Sequence, residues 1–173
     1  RSDKMNSRVH PDWIQQNFEW YRATWIECGE LLEHYGYKWW KKQEPDLEQV
    51  CLEIIDIWHF GMSALFRDGK DIEEIEAELA GYRPAGLGVK EATEALAMHA
   101  LQTRGFSPAL FWELMLSAGL DFDGLYSAYV GKNVLNFFRQ DNGYKLGSYV
   151  KTWAGREDNE HLVELVAPLD KSA

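Results

Sequence analysis

Glu27 and Glu30 stand three residues apart, and Glu53 and Asp56 repeat the same spacing further along the chain. On a helix, residues three apart share one face about a turn from each other. Each pair is set in apolar sequence: Trp25, Ile26, Leu31 and Leu32 around the first, Leu52, Ile54, Ile55 and Ile57 around the second. One such pair is an ordinary feature of an amphipathic helix. Two pairs, both flanked by apolar residues, place four carboxylates toward a core. There they repel one another and lose hydration, a cost that a cation relieves. No Lys or Arg lies at helical spacing inside the second pair. A hard divalent cation with oxygen ligands answers the need, Mg²⁺ first and Mn²⁺ as its substitute, and Mg²⁺ is commonly shared between carboxylates and a substrate's phosphates.

A second group carries the opposite sign. Between Val130 and Arg156 the bases are Lys132, Arg139, Lys145, Lys151 and Arg156, against the single acid Asp141. Lys and Arg near a metal site are the usual partners of polyphosphate oxygens. Asn136 and Gln140 fall on one helix face, and amides match the donor and acceptor edge of a nucleobase. Flat aromatic residues supply the third element of such a site. Tyr37, Trp39 and Trp40 form one cluster, and His59 and Phe60 lie about one turn beyond Asp56. Either set can sandwich a base or simply pack a corner of the core.

The elements that must position these groups are helical throughout. The period predicts a first long helix over Asp12–Gly36 and a second, capped by Asp46, running to about Arg67. Shorter helices are predicted over Asp71–Ala80, Val89–Thr103, Ser107–Ser117 and Asp121 to about Arg139, with a Pro/Gly-rich loop at 81–88. Residues 144–158 read as an ordered loop, and Glu160–Val166 as a final turn or two of helix. The fold class is therefore an all-α bundle. The 173 residues are long enough for one domain, with 71–120 as a helical insertion or mobile lobe. A hydrophobic content of 46% with 8 Trp demands a folded core. Net charge −10 with pI near 4.9 argues against a nucleic-acid polymer as partner. Cys28 and Cys51 read as reduced core residues of a cytoplasmic protein, and no apolar run of membrane-spanning length is present.

Together these segments resemble the dimeric all-α dUTPases, relatives of the MazG-like nucleotide pyrophosphatases. The resemblance is carried by Trp25-Ile26-Glu27-Cys28-Gly29-Glu30-Leu31-Leu32, Tyr37-Lys38-Trp39-Trp40-Lys41, Glu53-Ile54-Ile55-Asp56-Ile57-Trp58-His59-Phe60, the run Lys132 to Tyr144, and the tail Gly147 to Asn159. The paired acidic motifs are shared by the whole superfamily; the Lys132 run and the Glu157-Asp158-Asn159 tail are more specific to dUTPases. The resemblance implies a homodimer that hydrolyses dUTP, and dUDP with it, to dUMP using Mg²⁺, with pyrophosphate released from the triphosphate. It implies Glu27, Glu30, Glu53 and Asp56 as metal ligands and catalytic carboxylates. Trp39, His59 and Phe60 would flank or border the uracil, with Asn6 and Asn136 at its edge. Arg139, Tyr144, Lys151 and Asn159 would bind the phosphates, with Lys132 and Lys145 as weaker candidates. Family members carry a Gln four residues before the Asn matched by Asn6; Ser2 stands there instead. The chain opens Arg1-Ser2 without Met, so that pair can be a cloning remnant that has replaced the Gln.

Three other readings fit parts of the sequence. A MazG-like enzyme acting on dCTP or a damaged nucleotide would use the same carboxylates. A dinuclear iron or manganese bundle would want Glu-x-x-His, and the chain offers only Asp56-x-x-His59. A non-catalytic acidic helical dimer would bind a protein partner and gain nothing from divalent metal.

Overall fold

The apolar character of residues 47–67 is concentrated enough to bury a helix on most of its surface. In the structure, a computed structural model that describes residues 2–166, this segment is the helix α3 (Leu47–Arg67). Arg1, half of the N-terminal pair discussed above, lies outside the described residues. Val50, Leu52, Ile54, Ile55, Ile57, Ala64 and Leu65 of α3 are all buried, and Glu53 is buried among them. The remaining helices among the described residues are α1 (Ser2–Val9), α2 (Trp20–Tyr35), α4 (Ile72–Gly81), α5 (Val89–Thr103), α6 (Pro108–Ser117), α7 (Phe122–Asp141) and α8 (Asp158–Val166). Two two-residue strands, β1 (Thr152–Trp153) and β2 (Arg156–Glu157), pair antiparallel between α7 and α8. The chain is thus all-α, as its periodicity predicts. No helix among the described residues is long and apolar enough to cross a membrane.

The residues sort into two units, 14–121 and 2–13 with 122–166. In the first unit α2 packs against α3 and α5, and α6 packs against α3, α4 and α5. The buried residues Tyr21, Thr24, Cys28 and Leu31 recur at helical spacing along α2. The connection between α2 and α3 is pinned at both ends. Asp46 N–H donates to the His34 carbonyl at 2.9 Å, and Gln43 accepts from Lys38 N–H at 2.8 Å. Three helix starts carry side-chain caps: Asp46, read as a cap from sequence, and with it Asp71 and Ser107 accept from the backbone N–H of Gln49, Glu74 and Leu110.

The largest departure from the sequence expectation is the start of the first long helix. Helix α2 begins at Trp20, not at Asp12, and residues 11–17 form turns. Asn17 adopts φ 52°, a left-handed conformation that no helix accommodates. The backbone around Phe18 is instead held from outside, its carbonyl accepting from Arg67 at 3.2 Å and from Trp20 N–H at 2.9 Å.

In the second unit α7 packs against α1 and α8. Arg8 of α1 pairs with Asp141 at the end of α7, and Lys145 donates to the Val9 carbonyl at 2.6 Å. The segment read from sequence as a loop contains a 3₁₀ turn at Tyr144–Leu146 and the β1–β2 hairpin. The final helix begins two residues before the expected Glu160.

Candidate metal and nucleotide site

Glu27 and Glu30 come from α2, Glu53 from the facing side of α3. One ligand oxygen of each lies within 4.8 Å of the others, close enough to share a cation. Asp56 stands outside this group, one turn further along α3, but its charge still acts on Glu27. Burial, a hydrogen bond with Glu53 and the charges of Asp56, Glu53 and Glu30 push Glu27 up to about 9. The His34 ring lies beside the group, its Nε2 3.6 Å from a Glu53 oxygen. Oxygen donors alone, drawn from two rigid helices and short of positive charge, fit a hard divalent ion. Cys28, next to Glu27, takes no part: burial and the Glu27 charge push its thiol up to about 12, and both cysteines are free thiols.

The candidate base-flanking aromatics of the same unit lie in two places. Phe60 stacks on Trp20 with ring centroids 6.1 Å apart, and His59 meets Phe60 edge-on at 5.7 Å. Trp39 is 90% exposed and meets Trp40 edge-on at 5.5 Å, so it is not stacked on Phe60.

The basic and amide residues belong to the other unit, and there α7, the 3₁₀ turn after it and α8 converge on Arg139. Its Nε and Nη2 grip the two Asp158 carboxylate oxygens at 2.8 and 2.7 Å. Nη2 also donates to Asn159 Oδ1 at 3.1 Å, and Nη1 to Asn136 Oδ1 at 3.3 Å. Lys132 donates to the same Asn159 oxygen at 3.3 Å, and the Tyr149 hydroxyl donates to Asp158 at 2.7 Å. Lys132, Arg139, Asp158 and Asn159 are all buried. Burial would raise Asp158, but its bonds to Arg139 and Tyr149 outweigh that and hold it below the usual carboxylate range. Burial and the bond to Asp158 push Tyr149 up to about 12, which keeps its hydroxyl a donor. Tyr144 lies under the Arg139 guanidinium, 5.8 Å from ring centroid to Cζ. Lys151 pairs with Glu157 at 2.8 Å, and Lys145 is occupied at the end of α1. Asn6 of α1 is buried.

The structure thus gathers three of the four carboxylates, pairs His59 with Phe60, and joins Asn136, Arg139, Lys132 and Asn159 in one network. Trp39 and Lys145 stand apart from those groups, and Lys151 touches the network through its carbonyl, which accepts from Asp158 N–H at 3.0 Å. Two functional-looking acids escaped the sequence reading. Asp158 anchors the Arg139 network, and its signal was an acid beside Asn159 at the end of a basic stretch. Glu113 of α6, also buried, accepts from Tyr82 Oη at 2.8 Å and from the backbone N–H groups of Ala85 and Leu87 at 2.7 and 2.9 Å. It clamps the 82–88 loop, and nothing local in the sequence foretold that. A family model described as dUTPase matches residues 1–144, ending at Tyr144 before Lys151 and Asn159. No curated protein matches the chain.

Proposed function

Because the chain belongs to the dUTPase family and is a dUTP diphosphatase, we propose that it hydrolyses dUTP by divalent-metal-assisted attack of water on the α-phosphorus, releasing dUMP and pyrophosphate. The observation that carries this reading is the meeting of Glu27, Glu30 and Glu53 within 4.8 Å across two helices. These three, with Asp56, would hold Mg²⁺, or Mn²⁺ in its place. When bound, the ion supplies charge neutralisation at the phosphates and lowers the barrier to attack. The protein's own groups do the rest. Glu27 orients the attacking water and accepts its proton. Asp56 meets the sugar 3′-hydroxyl and favours a deoxyribose. Phe60, with His59 beside it, offers a flat face to the base, and Trp39 is the second aromatic candidate. Asn136, with Asn6, reads the base edge.

Arg139, Tyr144, Lys151 and Asn159 receive the phosphates, assisted by Lys132 and Lys145. The positive φ of Gly143 and Gly147 lets the segment after α7 turn tightly enough to bring Tyr144 and Asn159 back to Arg139. Thymine is excluded by its 5-methyl group and cytosine by the hydrogen-bond pattern at Asn136. The working enzyme is a homodimer of the cytoplasm.

Pyrophosphate release with Mg²⁺ from dUTP, dCTP, dTTP and UTP, measured side by side, tests this. Release from dUTP far above the other three is expected. Comparable release from dCTP would move the chain to a broader nucleotide pyrophosphatase and strip Asn136 of its role.

A further inference from the structure

The assignment of Asn136 to the base edge leaves a physical problem unsolved. A carboxamide is nearly symmetric in shape, and its two ends have opposite hydrogen-bonding character. With Oδ1 toward N3–H and Nδ2 toward O4, it reads uracil. Turned by half a rotation, the same side chain donates to N3 of cytosine and accepts from its 4-amino group. An Asn free to turn would serve both bases. Selection therefore requires that something hold the amide in one orientation.

We infer that Arg139, itself held by Asp158, is a positioning residue that fixes the polarity of the Asn136 amide and so selects uracil over cytosine. The inference rests on the reading above that Asn136 meets the base. A guanidinium has donors and no acceptor, so only the oxygen end of Asn136 can face Arg139 Nη1, as it does at 3.3 Å. The turned amide would set N–H against N–H beside a buried cation. Oδ1 has two lone pairs and accepts from Arg139 and from the base N3–H together, leaving Nδ2 to donate to O4.

The lock works only if Arg139 cannot move, and three layers hold it. The bidentate grip of Asp158 at 2.8 and 2.7 Å fixes the plane of the guanidinium. Asn159 Oδ1 takes a further Nη2 bond at 3.1 Å. Asp158 is itself fixed by the Tyr149 hydroxyl at 2.7 Å and by its own N–H donating to the Lys151 carbonyl at 3.0 Å. Asp158 is 1% exposed, so water does not compete for these bonds. A residue that serves the phosphates thereby also decides which base is read.

The test compares kcat/KM for dUTP and dCTP in the wild type and in Arg139→Gln, Arg139→Lys and Asn136→Ala. Glutamine carries both donor and acceptor and tolerates either orientation of Asn136. Arg139→Gln should narrow the dUTP preference by about tenfold or more, because kcat/KM falls less for dCTP than for dUTP. A residue needed only for phosphates or for folding would depress both substrates together. Lysine is donor-only, so Arg139→Lys should keep the preference even where both rates fall. A dUTP:dCTP ratio unchanged in Arg139→Gln overturns the lock. If Asn136→Ala also leaves the ratio unchanged, the fault lies in the base assignment of Asn136; if it abolishes the ratio, only the lock has failed. Should circular dichroism show Arg139→Gln unfolded, Asp158→Asn, which releases the grip on Arg139, takes its place with the same ratio as readout.

Discussion

Glu53 is the residue on which the candidate metal centre turns. It is buried on α3, bonded to Glu27 and 3.6 Å from the His34 ring. A carboxylate in that position is costly for the fold and explicable by what it can bind. Glu53→Gln keeps the shape and removes one charge from a crowded acidic group. Its turnover of dUTP should fall by more than the roughly 10–100-fold that disturbing an outer partner of a metal ligand costs. Its helical circular dichroism and melting temperature should match or exceed the wild type, since a repulsive charge has gone. A variant with wild-type pyrophosphate release would remove Glu53 from the metal site. A variant that has lost its helices would make Glu53 structural.

At the scale of elements, α3 positions that carboxylate, and its own placement depends on close approach to the segment before α6. A Cβ added at Gly61 would sit 2.3 Å from the Phe106 ring, which also neighbours Trp58 and Phe111. Gly61→Ala should therefore destabilise, against the helix-propensity gain of about 1 kcal/mol that alanine brings elsewhere. Overpacking of this kind costs about 1–3 kcal/mol, visible as a lower melting temperature; an unchanged or higher one would show that Phe106 yields freely. What could be read from sequence follows the same division. The caps at Asp46 and Ser107 act on backbone three residues away, so local spacing reveals them. The carboxylate pairs were legible because helical spacing puts each pair on one face. Their convergence needed α2 and α3 to be seen packed together. Asp158 and Glu113 bond partners 19 and 26–31 residues distant, beyond any local pattern. The start of α2 was misplaced because a left-handed Asn17 ends the turns before it, and composition gives no warning of that.

For the molecule as a whole, net charge −10 makes cations matter at two levels, as a screening atmosphere and as a bound ion. The two are separable by what they do to unfolding. A screening effect depends on ionic strength and treats K⁺ and Mg²⁺ alike once that is matched. A bound ion stabilises the native state by mass action, by about 2.7 kcal/mol when present at a hundred times its dissociation constant. For a chain of this length each kcal/mol shifts the midpoint by about 2–4 °C, so saturating Mg²⁺ should raise it by roughly 5–10 °C. EDTA should reverse the shift, and Glu53→Gln should abolish it. All four carboxylates belong to residues 14–121, so the same scan probes how far stability is shared along the chain. If the protein unfolds as one domain, the whole transition moves with Mg²⁺. Two transitions with only one displaced would confine the effect to the carboxylate unit. A shift that K⁺ reproduces at equal ionic strength would leave the acidic cluster as charge without a resident ion.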